Sequence, residues 1–262
     1  MNSIIKKIVS PIVGKKIFQK FFEALDRFAL LGMNIGGGGD LYNSGERIAI
    51  EYVKSNLNLK QDLVLFDVGA NVGKYTSLLR EVFGDHAKIY SFEPSKGTFE
   101  KLISNTKDRK RLFNFGLGSK DADMTLFSNN KRSGLSSLYQ RNLEHVDMKM
   151  DHVESVKIKS LDSFCDEHNI PRINFLKIDV EGYEMEVLSG SKNRLNSGAI
   201  DFIQFEFGGC NIDSRTYFKD FYYLLKDKYK IYRIVKDGLY PIDKYKEIYE
   251  AFNTTNYLAE KI

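Results

Sequence analysis

The segment LVLFDVGANVG, residues 63–73, decides the fold of this chain. Its apolar run, Leu63–Phe66, has the composition of a buried strand, and Asp67 follows at the end of that run. Gly69 and Gly73 then predict a tight turn into a helix that reaches about Phe83. Glycines let a ligand approach the backbone, and the N-terminus of a helix offers unpaired N–H groups. The segment therefore predicts a strand, a ligand-binding turn and a helix.

Similar strand and helix patterns alternate along the rest of the chain. Further predicted helices end near Lys107, Leu188 and Leu225. The predicted strands are Leu63–Phe66, Lys88–Phe92, Leu112–Phe115, Ile173–Ile178, Ile200–Phe207 and Ile231–Val235. Alternating strands and helices predict an α/β fold with a mostly parallel, doubly wound sheet covered on both faces. Lys236-Asp237-Gly238 is typical of a hairpin turn, so we expect antiparallel strands near the C-terminus.

The composition is that of an ordinary folded protein. The 262 residues include 42% hydrophobic and 28% charged residues, which excludes wholesale disorder. A net charge of +4 is too small to indicate nucleic-acid binding, and we expect none. The two cysteines, Cys165 and Cys210, cannot form a disulfide framework, which suits a reducing compartment. Lysines interrupt the apolar N-terminal stretch, so we expect no secretory signal and a cytoplasmic location.

The chain divides at about residue 60. Residues 1–60 form an N-terminal helical extension with a glycine-rich loop at Gly36–Gly39, and residues 61–262 form the Rossmann-like domain. Within residues 3–31, two apolar stripes lie out of phase and predict two short helices. These helices either pack against the main domain or lie on an anionic membrane surface, because lysines accompany the apolar stripes.

Residues 121–159 follow a less regular pattern than their surroundings. Strands are predicted at Met124–Phe127 and Val153–Ile158, with a polar loop at Ser128–Ser133. In a doubly wound sheet, ligands bind outside the carboxyl ends of the strands. An insertion at this point of the chain could cover such a ligand, so we interpret these residues as a lid.

The polar residues at the first two strand ends predict an adenosyl ligand. Glu93, followed by Pro94, ends the second strand about 20 residues past the turn, where a carboxylate can bind ribose hydroxyls. The turn lacks the G-x-G-x-x-G pattern, and Tyr75 stands where a phosphate loop needs Ser or Thr. The carboxylate of Asp67 would repel a pyrophosphate and attract a sulfonium. S-adenosylmethionine therefore fits better than a dinucleotide.

A third segment, FLKIDVEGYE at residues 175–184, carries the acidic residues that suggest catalysis. Asp179 comes directly after a buried strand, and Glu181 and Glu184 follow within five residues. Acidic residues also stabilise the first turn of a helix, and this is the alternative interpretation of Glu184. Asp179 precedes that helix, so we expect it at the edge of the sheet where ligands bind.

Six motifs occur in the order and spacing of the FkbM-type methyltransferases, and the chain resembles that family from Leu63 to Phe207. They are Asp67–Gly73, Phe92–Pro94, Gly116–Gly118, Ser136–Leu138, Ser160–Ser163 and Lys177–Glu184. The resemblance implies a class I, Rossmann-like fold and S-adenosylmethionine-dependent O-methylation of a sugar or polyketide hydroxyl. The cofactor-binding residues that we assign on this basis are Asp67, Gly69, Ala70, Asn71, Gly73, Glu93, Pro94, Asn114, Gly116 and Leu117.

A hydroxyl acceptor needs a group that removes its proton. Asp179 is the first candidate for this base and Glu181 the second, and Lys177 could orient or neutralise them. We assign no metal ligands, although Asp179 and Glu206 could share a magnesium ion. The expected substrate is a small molecule or glycan. The alternatives are a NAD-dependent nucleotide-sugar enzyme and a non-catalytic, membrane-associated protein that binds an adenosyl ligand.

Overall fold

The computed structural model describes residues 10–39, 41, 43–129 and 132–262. Nine α-helices lie within these residues. They are α1 (Gln19–Gly32), α2 (Glu46–Asn56), α3 (Lys74–Phe83), α4 (Lys96–Asn105), α5 (Leu161–Glu167), α6 (Glu184–Ser189), α7 (Lys192–Asn196), α8 (Cys210–Ser214) and α9 (Phe218–Leu225). None of the described helices is long and apolar enough to cross a bilayer.

Twelve strands form two sheets in the described part of the chain. Eight of them make the main sheet, in the order β11-β10-β12-β9-β8-β1-β2-β3. These strands are β1 (Leu63–Val68), β2 (Ala87–Phe92), β3 (Leu112–Phe113), β8 (Ile173–Ile178), β9 (Ile200–Phe207), β10 (Tyr229–Val235), β11 (Gly238–Pro241) and β12 (Thr255–Lys261). The five strands from β3 to β9 are parallel, which confirms the predicted doubly wound sheet.

The C-terminal strands are antiparallel, as predicted. β10 and β11 form the expected hairpin, with Val235 opposite Gly238. The last strand, β12, inserts between β9 and β10 and runs antiparallel to both. Our sequence analysis assigned no strand to its residues. The third predicted strand is shorter than expected, because only Leu112 and Phe113 pair with β2.

Residues 121–159, which we interpret as a lid, belong to a smaller, four-stranded sheet, and the two strands predicted there, Met124–Phe127 and Val153–Ile158, are confirmed. The strands of this sheet follow the order β4-β7-β5-β6. They are β4 (Gly116–Gly118), β5 (Ala122–Asn129), β6 (Arg132–Ser137) and β7 (His152–Ser160). The predicted polar loop at Ser128–Ser133 is wrong, because β5 continues to Asn129 and β6 begins at Arg132. Polar residues suit these strands because β6 lies at the edge of its sheet.

Apolar side chains pack on both faces of the main sheet. The strands β1, β8 and β9 are almost wholly buried, and Phe66, Phe175 and Phe205 lie in their centre. Burial of large side chains on both faces is the main source of stability in such a sheet. The core thereby fixes the carboxyl ends of β1, β2, β8 and β9 relative to one another.

We expected the two N-terminal helices either to pack on the main domain or to lie on a membrane surface. The structure contradicts packing on the domain for the second helix. The first predicted helix lies largely in residues 1–9, outside the described part of the chain. The second predicted helix is α1, and none of its residues is buried. The expectation that its apolar stripe packs on the main domain is therefore wrong. By contrast, α2 packs on the domain through Ala49, Ile50 and Val53.

Candidate functional site

A cavity of about 720 Å³ lies at the carboxyl edge of the main sheet. The ends of β1, β2, β8 and β9 form its floor, and the smaller sheet forms one wall. Most of the predicted site residues line it, namely Gly69, Ala70, Asn71, Glu93, Pro94, Gly116, Leu117, Lys177, Asp179 and Glu181. The topology therefore brings together motifs that spread over more than 100 residues of the chain, from Gly69 to Glu181.

The glycine turn after β1 is tied to both neighbouring strands. The backbone N–H groups of Gly69 and Ala70 donate to the carbonyl of Phe92 at 3.0 and 2.9 Å. Gly69 has a φ of +78°, and a Cβ there would overlap the carbonyl oxygen of Asp179. Glycine is needed at this position because both the dihedral angle and the close approach exclude a side chain.

Asn71 also adopts a left-handed conformation, with φ +49°. Its side chain lines the cavity, and its buried Oδ1 has no hydrogen-bond partner among the residues that the structure describes. Buried acceptors are normally paired. The unpaired Oδ1 in the cavity wall could therefore accept a hydrogen bond from a donor group of a ligand.

Glu93 is held at the end of β2 by backbone donors. Its Oε2 accepts from the N–H of Asn71 at 3.0 Å, and its Oε1 accepts from the N–H of Ser95 at 2.9 Å. Burial raises the pKa of this carboxyl to about 7, although both hydrogen bonds oppose the shift. Each carboxylate oxygen keeps a further lone pair that could accept from a ligand.

The wall beyond Glu93 is apolar. Pro94 after β2 and Leu117, Leu126, Leu138 and Ile158 in or next to the smaller sheet line the cavity here. A Cβ on Gly116 would lie only 2.8 Å from Ile158 Cδ1 on the paired strand β7, so glycine leaves room for the Ile158 side chain here. Such a narrow apolar wall suits a flat, weakly polar group.

Lys177 joins the carboxyl ends of β1 and β8. Its Nζ lies 3.3 Å from Asp67 Oδ1 and 3.3 Å from Asp179 Oδ2, and it donates to the carbonyl of Gly69 at 3.2 Å. Burial would lower the pKa of this ammonium, but the carboxylates of Asp179, Asp67 and Glu46 outweigh burial and raise it. The side chain is therefore a buried cation that balances several acidic groups.

Glu181 pairs with a residue that our sequence analysis did not identify. Arg141, in the segment between β6 and β7, donates to Glu181 Oε2 at 2.7 Å, and its Nε lies 3.5 Å from Asp213 Oδ2. Burial and the charge of Asp179 raise the pKa of Glu181, and Arg141 opposes that shift. A single arginine in an irregular segment gives no pattern from which this contact could be predicted.

Glu206, at the end of β9, has no hydrogen-bond donor among the described residues. Its side chain is 8% exposed and lines the cavity. Burial, together with the charges of Asp179, Glu181 and Glu184, raises its pKa well above the usual value for glutamate. Glu206 is therefore protonated more readily than an ordinary glutamate.

One group of side chains could hold a metal ion. The ligand atoms of Glu181, Glu206 and Cys210 lie within 4.8 Å of one another. Asp179, which we considered as a magnesium ligand together with Glu206, is not part of this group and pairs with Lys177 instead. Arg141 already supplies a positive charge to Glu181, which reduces the need for a cation there.

Three predicted cofactor residues do not line the cavity. Asp67 is fully buried beneath it, where Thr76 Oγ1 donates to its Oδ2 at 2.6 Å. Gly73 precedes α3 and faces Leu102. Asn114 uses its Nδ2 to donate to the carbonyls of Glu93 and Pro94, both at 3.0 Å. These residues shape and brace the cavity rather than form its surface.

The extension contributes to the cavity as well. Gly38, Gly39, Leu41 and Glu46 all line it. Glu46 accepts hydrogen bonds from Ser44 Oγ at 2.9 Å and from Gln204 Nε2 at 2.8 Å. Sequence reasoning assigned Glu46 no part in the site, because its motif is that of an ordinary helix N-terminus.

The sheet order defines the class of this protein. Five parallel strands are followed by a C-terminal strand that inserts antiparallel to its neighbours, and the glycine turn and Glu93 meet at the carboxyl edge. This is the class I, Rossmann-like methyltransferase fold. Residues 67–232, more than half of the chain, match the Methyltransferase FkbM domain, and the chain belongs to that family.

Curated relatives match about half of the chain. Hexuronic acid methyltransferase AglP of Haloferax volcanii is 30% identical over 143 residues, which are 53% of this chain and 54% of the relative. The 2-O-methyltransferase NoeI of Sinorhizobium fredii is 26% identical over 147 residues, 52% of this chain and 60% of NoeI. Methyltransferase 1 of Beauveria bassiana is 28% identical over 174 residues, 56% of this chain and 70% of the relative.

Solved structures resemble the chain at low identity. The methyltransferase FkbM of Methylobacillus flagellatus has a TM-score of 0.45 at 14% identity, covering 78% of this chain and 45% of its own. The fibrillarin of Aeropyrum pernix, crystallised with S-adenosyl-L-methionine, has a TM-score of 0.42 at 14% identity and covers 83% of this chain and 76% of its own.

Proposed function

We propose that this protein transfers a methyl group from S-adenosylmethionine to a hydroxyl of a sugar, a glycan or a glycan precursor. The observation that carries the proposal is the cavity itself. It joins the glycine turn and Glu93, which suit an adenosyl ligand, to the carboxylates that follow β8 and β9. A donor site and an acidic acceptor site therefore share one space.

The cavity fits the proposed cofactor in size and in polarity. Its volume lies within the range of about 300–1,000 Å³ that is usual for small-ligand sites. Glu93 would accept from the ribose hydroxyls, the unpaired Oδ1 of Asn71 would accept a further hydrogen bond, and the wall at Leu117 would contact adenine. The acidic side chains around Lys177 favour the sulfonium and ammonium charges.

When bound, S-adenosylmethionine would supply an electrophilic methyl carbon: the acceptor oxygen would bond to this carbon as the carbon–sulfur bond breaks and the thioether S-adenosylhomocysteine leaves. Asp179 takes the proton of that hydroxyl, and Lys177 fixes the Asp179 carboxylate through its ion pair. Glu206, whose raised pKa favours the neutral acid, donates a hydrogen bond that orients the acceptor.

The choice of a sugar acceptor rests on the names of two relatives. AglP is named as a hexuronic acid methyltransferase and NoeI as a 2-O-methyltransferase. An oxygen acceptor also agrees with the carboxyl groups of Asp179, Glu181 and Glu206 in the cavity wall, because an alcohol has a high pKa and needs a base.

Calorimetry distinguishes this proposal from a NAD-dependent enzyme. The purified protein is titrated separately with S-adenosylmethionine and with NAD. We expect one molecule of S-adenosylmethionine to bind per chain and NAD to bind weakly, because Asp67 and Asp179 lie where a pyrophosphate would have to approach. Preferential binding of NAD would overturn the proposal.

A further inference from the structure

The helix α1 presents a row of large apolar side chains to solvent. Phe21 is 57% exposed, Phe28 is 73% exposed, and Leu31 is 68% exposed. Ile17 just before the helix and Leu25 within it are exposed on the same side. Soluble proteins rarely leave such a continuous apolar face uncovered, so something outside the described chain covers it.

The charges of α1 are arranged around this face. With about 100° between successive residues, Lys20 and Arg27 lie along one border of the apolar row, next to Leu31. Glu23 and Asp26 lie farther from the row, on the polar side of the helix. Lys15 and Lys16 precede it. Basic residues beside an apolar stripe can extend to lipid phosphates while the stripe enters the membrane interface.

We propose that α1 is a binding site for an anionic membrane surface, and that it lies in the plane of that surface. The apolar row accounts for insertion, and the basic border accounts for the preference for anionic lipid. A second copy of the chain would cover the apolar row equally well. It would bring basic and acidic residues to the border alike, whereas an anionic lipid surface offers an opposite charge to every basic residue of the border.

A short, well-anchored segment connects α1 with the cavity. The N–H groups of Gly36 and Gly38 donate to the carbonyl of Thr254 at 3.1 Å, and the side chain of Asn34 donates to the carbonyl of Ser44 at 2.8 Å. Gly38, Gly39 and Thr254 line the cavity. Binding through α1 would thus hold the cavity close to the lipid.

A cavity at the membrane surface also indicates which acceptors can reach it. This inference about the acceptor rests on the proposed function. A cavity held at a membrane surface suits a glycan that is carried on a membrane lipid better than one that diffuses freely. Membrane binding itself does not depend on methyl transfer. Vesicle binding and S-adenosylmethionine binding are therefore measured separately.

Co-sedimentation with vesicles tests the proposal. The intact protein is mixed with vesicles of phosphatidylcholine and phosphatidylglycerol, and with vesicles of phosphatidylcholine alone. We expect binding to the anionic vesicles that weakens in about 0.5 M salt, where charges are screened beyond a few ångströms. Phe28→Glu should reduce this binding at least about tenfold, because it places a charge in the inserted face.

Gln19→Glu is the matched control. Gln19 and Phe28 are nine residues apart and project about 180° from each other, so the same charge is added to the opposite side of α1. We expect this variant to bind vesicles nearly as the wild type does. Both variants should bind S-adenosylmethionine with unchanged affinity, because neither residue lines the cavity.

Three results would overturn the membrane proposal. The first is no binding to anionic vesicles, and the second is equal loss of binding in both variants. The third is a dimer in light scattering that Phe28→Glu dissociates, because a second copy would then cover α1. Vesicle binding without any binding of S-adenosylmethionine would instead contradict the proposed function, and it would still support the membrane-binding site.

Discussion

The ammonium of Lys177 lies 3.3 Å from Asp179 Oδ2, at the point where β8 ends. The same nitrogen lies 3.3 Å from Asp67 Oδ1 at the end of β1. One buried cation thus joins the two strand ends that carry the glycine turn and the proposed base. The ring of Tyr75 also packs against this ammonium, and its centroid is 5.1 Å from Nζ.

Removing this cation should destabilise the protein strongly. Lys177→Met keeps the length of the side chain but leaves Asp67 buried without its counter-charge. We expect a loss of about 3–5 kcal/mol in the free energy of unfolding, measured with urea. The control is Lys88→Met, whose ion pair with Asp62 is exposed, and which should cost less than about 1 kcal/mol. Equal losses would contradict a central role for Lys177.

Two glycines offer a matched test of the turn after β1. Gly69→Ala should destabilise the fold, because its φ is +78° and its Cβ would overlap the carbonyl oxygen of Asp179. Gly97→Ala should stabilise it by up to about 1 kcal/mol, since Gly97 lies in α4 with open space around it. Thermal melting of both variants measures the difference. A stabilising Gly69→Ala would show that the turn does not approach β8 so closely.

The strands of the parallel sheet were the most predictable part of the fold. Ile173–Ile178 and Ile200–Phe207 were predicted with the bounds observed, because apolar residues, mostly isoleucine and phenylalanine, predominate in both segments. The strand β6 was missed, since an edge strand of polar residues resembles a loop. The strand β12 was missed too, although most of it is buried.

The site was predictable only where a motif marks the end of a strand. Glu93 and Asp179 each follow an apolar run, so their place at the sheet edge follows from the alternation of strands and helices. Arg141 and Glu46 come from an irregular segment and an ordinary helix, and their positions depend on tertiary packing. The exposure of α1 could not be predicted either, because a stripe that packs on a domain and one that faces lipid have the same period.

The carboxylate of Glu93 should be needed for cofactor binding. Glu93→Gln keeps the shape but replaces one acceptor oxygen by a donor. We expect S-adenosylmethionine binding to weaken by about 1–3 kcal/mol in calorimetry, through lost charge-assisted hydrogen bonds. Glu100→Gln, on the exposed side of α4, should leave the affinity unchanged. An unaltered affinity in Glu93→Gln would mean that the ribose is held elsewhere.

The buried carboxyl of Glu184 should make stability depend on pH. Burial raises its pKa from 4.5 to about 7, although the N–H groups of Val180 and Gly182 donate to it. A carboxyl with a raised pKa in the folded state stabilises that state below about pH 4.5. This contribution is lost as the pH rises through about 7. The shift in the pKa of Glu184 corresponds to about 3 kcal/mol in the free energy of unfolding.

Glu184→Gln, which cannot titrate, tests this dependence. Its melting temperature is compared with that of the wild type at about pH 4.5 and about pH 8. The melting temperature of the variant, relative to that of the wild type, should be higher at about pH 8 than at about pH 4.5. A constant difference at both values would show that Glu184 does not titrate in this range.

The central claim is that Asp179 removes the proton of the acceptor hydroxyl. The most direct measurement is the rate at which labelled methyl passes from S-adenosylmethionine to a glycan and lipid-linked precursor extract, compared between wild type and Asp179→Asn. We predict a fall of at least about 10²-fold in the variant, with its affinity for S-adenosylmethionine within a few-fold of wild type. Transfer by Asp179→Asn at the wild-type rate would contradict the account.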